Sequence, residues 1–594
     1  MRGLIVILSV ALAFVLGISG VFENEAMYGR IHADAQGYYG YLVALFLERS
    51  FDWETVIHSY SDVYFSGSGA DFTVQTEFGR INKYYVGTAI LILPFFLLSC
   101  LAALILGFPV DGYSEPFHIG IMLGALVYAG IGIYFLSKFL ESKGIRKSIS
   151  LFSSVACLFA TGVFHYSIAE PAMSHVYSFA LFCGFLYSVD RWVKNKKDLY
   201  LYAVAAVFAM VVLVRPANGL LLLSVPFIAG GWRGMKERLT TTDAIGRKVV
   251  LSGLIVVAIL SIQSIMYLAQ VGKPIVWSYQ GEGFNFFDPE VLNVLFSFRK
   301  GYFVYTPIAF LGLIGLIWFL FTKTAEALWL WLFLAISVYV ISSWWNWYYG
   351  GSFGMRALIE FTPFFAFGLA FLIQNSRTVL KASIITACVL LMVVNEVQCY
   401  QYQKFILHWD SMNQDKYWQV FLKTDRKYDG IFYRQPNVEE VTESVIDTKV
   451  FSSDLEPEND WGPQGITDEK AFSGTQSTKV SASNKFGSTL GVPVAEMGIN
   501  GRKKLKLSAM VWAERALPDL AIAYSYRDSA GDYGHEYIGV GQLVLEEEQW
   551  VKIERIVDLG SPRDSSDHWI VYPLSNDEGD VYLDDIRYEI LTVE

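Results

Sequence analysis

The 594-residue chain is 53% hydrophobic, 16% aromatic and only 17% charged, with a mean hydropathy of +0.37. That composition belongs to polytopic membrane proteins and excludes an ordinary soluble domain. The formal charge of −11 comes without a basic tract, which excludes the electrostatic footprint of nucleic-acid binding.

Residues 4–22 are apolar and long enough to span, so they read as a retained anchor rather than a cleaved signal peptide. Directly after them stands His32-Ala33-Asp34-Ala35-Gln36-Gly37-Tyr38-Tyr39. An ionisable group held at a membrane face is costly and marks a functional site by default, so Asp34 is the first candidate; its bland alternative is a helix cap.

Further apolar segments follow near 86–107, 118–136, 149–164, 174–190, 199–214, 219–231, 248–270, 303–321, 327–344, 357–374 and 379–398. Lys and Arg collect around 138–147, 191–197 and 233–248, and positive loops stay cytoplasmic. Alternation then places 23–83, 165–173, 271–302, 345–356 and the C-terminal region outside. Parity fails if 86–107 crosses, so this segment is expected to be an interfacial or re-entrant helix pair broken near Pro94. About eleven true spans remain. The five cysteines, Cys100, Cys157, Cys183, Cys388 and Cys399, lie in or beside these segments without disulfide or zinc spacing.

From about residue 440 the apolar runs shorten to strand length, at 505–512, 520–526, 537–545, 551–557, 569–573 and 581–590, with a turn at 529–532. This pattern predicts a β-sandwich. The expected fold is a polytopic α-helical membrane protein with interfacial helices and a C-terminal all-β sandwich. Its domains are a transmembrane region over 1–400, a linker over 401–440 and an extracytoplasmic sandwich over 441–594.

The external loops bring chemistry to one face. The first carries Asp34, Asp52, Glu54, Asp62, Asp71, Glu77 and Asn82-Lys83-Tyr84; the next runs from His165 through Glu170 to His175; another holds Trp344-Trp345-Asn346-Trp347-Tyr348-Tyr349 and Gly350 to Arg356. A carboxylate can take a proton from an acceptor hydroxyl, cations can hold a phosphate and the charge that grows on it, and glycines let backbone approach a ligand. Arg215 falls on the same outer side by the topology count, an anomaly that pairing with a lipid phosphate would explain and a salt bridge within the bundle would explain equally. Asp62 is kept as a remote second base, Glu360 is expected to pair with Arg356 four residues before it, and most of the aromatic run reads as an interfacial belt.

On the acidic element after the first span, the segments Asn82-Lys83-Tyr84, Glu170 to His175 and Gly350 to Arg356, residues 1–400 resemble the GT-C glycosyltransferases, which use polyprenyl-phosphate sugars and include protein O-mannosyltransferases and the lipid A aminoarabinose transferase. The resemblance implies Asp34 as catalytic base; Glu170 and His175 join it as candidates from a loop without Lys or Arg, Glu170 to orient the acceptor or tune that base, with polar groups that satisfy helix ends as the bland alternative for both. Lys83, Arg215, Arg356, Tyr39, Trp345 and Asn346 become candidate contacts for donor phosphate or sugar. Many members carry two adjacent acids where this chain has Ala33-Asp34-Ala35, a departure that weakens a metal-assisted reading; no metal or cofactor is implied. The ending Gly579 to Ile586 resembles the last strand of carbohydrate-binding jelly rolls.

These readings imply an inverting transfer from a lipid-linked donor to a glycan, lipid or protein acceptor, in a multi-pass protein of the bacterial inner membrane. Two other classes stand beside it: a lipid-linked oligosaccharide transporter or flippase, which should show acids and arginines deep in the spans and internal repeats, and an inactive membrane anchor for a glycan-binding sandwich.

Overall fold

The computed structural model describes residues 2–20, 30–64, 72–195, 197–434, 444–458, 460–498, 501–515, 518–529, 531–544, 546–560, 562–575 and 579–593. Two compact units emerge, Met1–Thr424 and Asp425–Glu594.

The first unit is helical. Among the described residues six helices are long and apolar enough to cross a membrane: Gly87–Leu106, Glu115–Ser142, Ile245–Val271, Thr324–Ser342, Arg356–Asn375 and Thr378–Gln403. A seventh span arises if Lys147–Phe159 and Gly162–Ile168, bent by 58° at their junction, are counted as one. The shorter apolar helices Arg2–Ile18, Asp198–Val214 and Ile308–Thr322 have 15 to 17 residues. The chain is a multi-pass membrane protein, and helix length alone does not establish the eleven spans expected from hydropathy.

The 86–107 segment departs from expectation. It is one continuous helix, Gly87–Leu106, with Pro94 inside it. A proline removes one ladder hydrogen bond, but in an apolar setting every other backbone group keeps its helical partner because no alternative exists. The break near Pro94 inferred from loop parity is therefore absent; the bend lies instead between Phe159 and Gly162.

Helix packing follows small residues. The helices Ile308–Thr322 and Thr362–Asn375 touch backbone to backbone: a Cβ on Gly315 would lie 1.9 Å from the Gly368 carbonyl oxygen. Such close approach is how apolar helices associate where no hydrophobic force separates them from lipid. The Ile245–Val271 helix buries only Gln263 and Tyr267 and exposes Val249, Val250, Leu254, Val257 and Ile265, the pattern of a helix facing lipid on most sides.

The unit has two distinct ends. At one, Arg2 pairs with Glu141, and Asp190 pairs with Lys194 at 3.0 Å and Lys143 at 3.8 Å. At the other, Arg30 donates to the Gly17 and Ile168 carbonyls at 3.0 and 3.1 Å, joining the ends of two helices just before Asp34. The basic loops and the acidic element thus occupy opposite ends of the same helices.

The second unit is all-β. Arg502–Ala513 pairs antiparallel with Trp550–Leu559 on one side and Val581–Val593 on the other; the latter pairs onward with Ser477–Val480 and Val445–Ser453. A four-stranded sheet runs Leu490–Pro493, His568–Ser575, Leu520–Asp528, Gly531–Gly539. Alternate residues fill the core, including Leu505, Leu507, Val511, Ile522, Trp569, Val571, Leu583 and Ile590. Of the six expected strands only 537–545 is displaced. Its strand is Gly531–Gly539, because the hairpin closes as early as Asp528 opposite Gly531, and Val540 and Val544 reach the core from the turn that follows.

Candidate active site around Asp34

The helix Asp34–Leu42 starts abruptly: Ala33, with φ +50° and ψ −133°, turns the chain into it without a side-chain cap. A non-glycine residue there stores about 1–3 kcal/mol of strain. Asp34 does not serve as the cap. Its carboxylate accepts from the Tyr84 hydroxyl at 2.7 Å and pairs with Arg356 Nη2 at 2.8 Å. Burial pushes the Asp34 carboxyl up, but Arg356, the Tyr84 hydroxyl and Lys83 outweigh it and hold the group below the usual range. Its side chain keeps 30% of its surface exposed.

Tyr84 reaches Asp34 because Gly37 lies beneath it. A Cβ on Gly37 would fall 2.1 Å from Tyr84 Cδ2. Asn82 fixes this crossing by donating to the Gly37 carbonyl at 2.7 Å and accepting from the Tyr84 amide at 2.9 Å. The same segment is tied to the Ile245–Val271 helix, where Gln270 accepts from Asn82 N and Gln263 from Val86 N, both at 2.9 Å. Lys83, between them, pairs with Glu282 and sits 5.3 Å from the centre of the Tyr279 ring.

A second acidic node lies nearby. Glu360 is fully buried and accepts from Arg215 at 3.1 Å and Asn218 at 3.0 Å, with His175 Nδ1 at 3.4 Å. Arg215 also donates to His175 Nδ1 at 2.9 Å. The two contacts at that nitrogen compete, and the shorter one requires a lone pair there, so His175 is read as neutral with its proton on Nε2. Tyr38 links the nodes: its ring lies 4.8 Å from that of Tyr84, and its hydroxyl accepts from Ser174 at 3.3 Å. Burial pushes the Tyr38 hydroxyl up, with Arg215 opposing and Asp34 reinforcing the shift.

Glu170 stands apart from His175. It is buried against His165 at 3.0 Å; burial raises its carboxyl, and the hydrogen bond and charge of His165 turn the balance downward. His165 packs on Tyr166, Phe353 and Tyr402, and Tyr166 accepts from the Phe353 amide at 3.2 Å, so this pair braces the loop that carries Arg356. Lys300 fastens the same loop through the carbonyls of Ser352 and Trp409.

Asp34, Lys83, Arg356, Arg215 and His175 therefore gather at one end of the helical unit, while Tyr39 does not join them. It is fully buried on another face of its helix, donates to the Gly112 carbonyl at 2.5 Å and packs on Phe96 and Tyr113. Trp345 is 54% exposed and its amide donates to Gly283 O at 3.0 Å; the Asn346 side-chain oxygen is buried without a donor. The expected Arg356–Glu360 pair is absent, because Arg356–Phe361 is a 3₁₀ turn and a four-residue spacing does not align side chains there. Asp71 lies outside the described residues, as does the Asp62 side chain. Among the described residues no group of three or more His, Cys, Asp or Glu is arranged for a metal.

Sequence reasoning missed Tyr84, Tyr38, Asn218 and the role of Glu360. The close spacing of Asn82, Lys83 and Tyr84 was visible; the crossing over Gly37 that gives Tyr84 its role was not.

No family model and no curated protein matches the chain. Among solved structures it is similar to the Archaeoglobus fulgidus oligosaccharyltransferase, at 10% identity over 71% of this chain and 59% of that one, with a TM-score of 0.41. It is also similar to arabinosyltransferase EmbB from Mycobacterium smegmatis, at 10% identity over 100% of this chain and 64% of that one, with a TM-score of 0.42. This chain thus spans 59% and 64% of the lengths of these two proteins. A xylan-binding domain from Paenibacillus barcinonensis matches at 20% identity over 25% of this chain and 99% of the domain, with a TM-score of 0.17. The functional reading rests on the site's own geometry.

Proposed function

We propose that the chain is a membrane glycosyltransferase that moves a sugar from a polyprenyl-phosphate donor to a glycan, lipid or protein acceptor, with Asp34 as general base. The observation that carries the reading is a part-exposed carboxylate, oriented by Tyr84, at a face that also holds Arg356, Lys83 and Arg215. An acceptor O–H would give its proton to Asp34 as its oxygen attacks the anomeric carbon from the face opposite the phosphate. The C–O bond to phosphate breaks, and the phosphate leaves with the electron pair. Direct displacement of this kind inverts the anomeric centre. Arg356 and Lys83 are the cations placed to hold the leaving phosphate, whose negative charge grows as that bond lengthens. Trp345 and Asn346 are assigned to the sugar side. No cofactor is proposed.

The reading places the chain in a bacterial cytoplasmic membrane, with the Asp34 face and the β-sandwich on the outer side. The role proposed for the sandwich is to hold glycan. In its four-stranded sheet Tyr572, Ala523 and Tyr537 occupy one cross-strand row, so two aromatic rings flank a small residue; aromatic faces suit sugar C–H surfaces.

The test is transfer of label from radiolabelled polyprenyl-phosphate sugars to endogenous acceptors in membranes carrying wild type or Asp34→Asn. Transfer that disappears in the variant is the expected result. No transfer from any donor by an intact wild type would overturn the reading.

A further inference from the structure

The three cations assigned to the donor at the Asp34 face are each paired with a carboxylate: Lys83 with Glu282, Arg215 with Glu360 and Arg356 with Asp34. A donor phosphate arriving there must either share one of these cations or take it over. The three pairs differ in what a takeover leaves behind. Withdrawing Arg215 strips a wholly buried carboxylate of a charged partner, and a buried uncompensated charge is expensive. Asp34, by contrast, has 30% of its side chain open and keeps the Tyr84 hydroxyl as a second donor.

Arg356 is also placed to turn. It opens the 3₁₀ turn Arg356–Phe361, directly after a loop in which Gly350 and Gly354 have φ of +65° and +58°. The loop itself is held from behind by Lys300 and Tyr166, so the backbone stays while the long side chain can change partners.

Resting on the glycosyltransferase reading, we propose that Arg356 is an exchangeable partner: the donor phosphate draws it from Asp34, and that transfer frees the carboxylate to act as base. Donor binding and base activation become one event. A carboxylate pinned by a guanidinium is a poor proton acceptor, and the same guanidinium on the phosphate stabilises the leaving charge. The pairing in the empty site then restrains the base until a donor is in place, and it orders the reaction with donor before acceptor deprotonation.

Competition for one cation is a coupling free energy, and a double-variant cycle reads it. The experiment measures binding of a sugar-free polyprenyl phosphate to the full-length, detergent-solubilised protein. Asp34→Asn should bind it about tenfold more tightly than wild type, because the phosphate no longer competes for Arg356. In an Arg356→Gln background the same Asp34→Asn change should leave affinity unaltered, whereas in Arg356→Lys, which keeps the charge, the tightening should persist.

An equal tightening in the Arg356→Gln background would mean simple repulsion between carboxylate and phosphate, and would overturn the exchange while leaving the glycosyltransferase reading intact. No tightening in Asp34→Asn would do the same. Failure of the folded wild type and of Asp34→Asn alike to bind polyprenyl phosphate would overturn the reading beneath it. Should Arg356→Gln not fold, the Arg356→Lys comparison alone decides: loss of tightening there overturns the exchange.

Discussion

Asp34 and Glu360 are both carboxylates paired with an arginine at the same end of the helical unit, yet their surroundings differ and the proposed function gives them opposite work. Glu360 is wholly buried and accepts from Arg215 and Asn218. Asp34 has two partners and an open edge. A charge closed off from the surface is held in place, whereas one left partly open can trade a partner or take a proton. Each acid has two donors, so burial rather than donor number or the presence of an arginine separates them, and the carboxylate proposed as reactive is the one left part-exposed.

The sharpest way to break that comparison is to neutralise both acids without changing their shape. Asp34→Asn should lower transfer by about a thousandfold, within the range general-base catalysis supplies, and lower the melting temperature of the purified protein by less than Glu360→Gln does. Glu360→Gln should do the reverse. It leaves Arg215 without its counter-charge in a buried setting, a loss of about 3–5 kcal/mol, read as a lowered melting temperature or failed expression. A stable, fully active Asp34→Asn or a stable Glu360→Gln would each end the distinction.

A smaller effect tests how Asp34 is held. Its carboxyl lies below the ordinary range because Arg356, Tyr84 and Lys83 together outweigh burial. With a folded-state value depressed below the unfolded one, its contribution to stability is present above the ordinary value of 3.8 and is lost as pH falls through the folded value. Removing a lowering partner must move the group upward. Tyr84→Phe should therefore shift the acid limb of stability to higher pH and cost about 1.5–3 kcal/mol, as loss of a hydrogen bond to a charged group does. An acid limb that does not move would show that Tyr84 does not hold Asp34.

Gly37→Ala reaches the same contact from below. The added methyl would meet the Tyr84 ring at 2.1 Å, so the ring must move and the hydroxyl must leave Asp34. Activity should fall by about tenfold, in line with about 1.4 kcal/mol of lost orientation, and Tyr84→Phe should add little to it, since both remove one interaction. Full additivity in the double variant would separate the two residues.

What the sequence made legible followed from local pattern. Period-2 alternation located five of the sandwich strands at Leu505, Leu520, Val551, Trp569 and Val581, and continuous apolar runs located the long helices. Asp34 was legible because an acid after an apolar span has few bland explanations. The partners of the acids were not legible, because each is supplied across the fold: Tyr84 lies 50 positions from Asp34, and Glu360 lies 145 from Arg215. The Arg356–Glu360 expectation failed for a local reason, a 3₁₀ turn where α-helical spacing was assumed. Pro94 misled through its reputation as a breaker, which holds where water or another partner can take the freed carbonyl.

Tyr38 and Tyr39 carry the comparison down to adjacent residues. One helical step turns a side chain by about 100°, so one ring faces Tyr84 and Ser174 while the next faces Phe96, Tyr113 and the Gly112 carbonyl. Tyr39→Phe deletes one buried hydrogen bond and leaves a carbonyl short of a donor, which should cost about 1–2 kcal/mol of stability with transfer intact. Tyr38→Phe removes a hydroxyl that touches Ser174 and feels both Asp34 and Arg215; it should lower transfer several-fold with little loss of stability. Measuring melting temperature and label transfer for the pair checks both. If Tyr39→Phe were the one to lose transfer, the reactive face of this helix would have to be turned toward Gly112, and Asp34 with its partners would no longer mark the centre of the site.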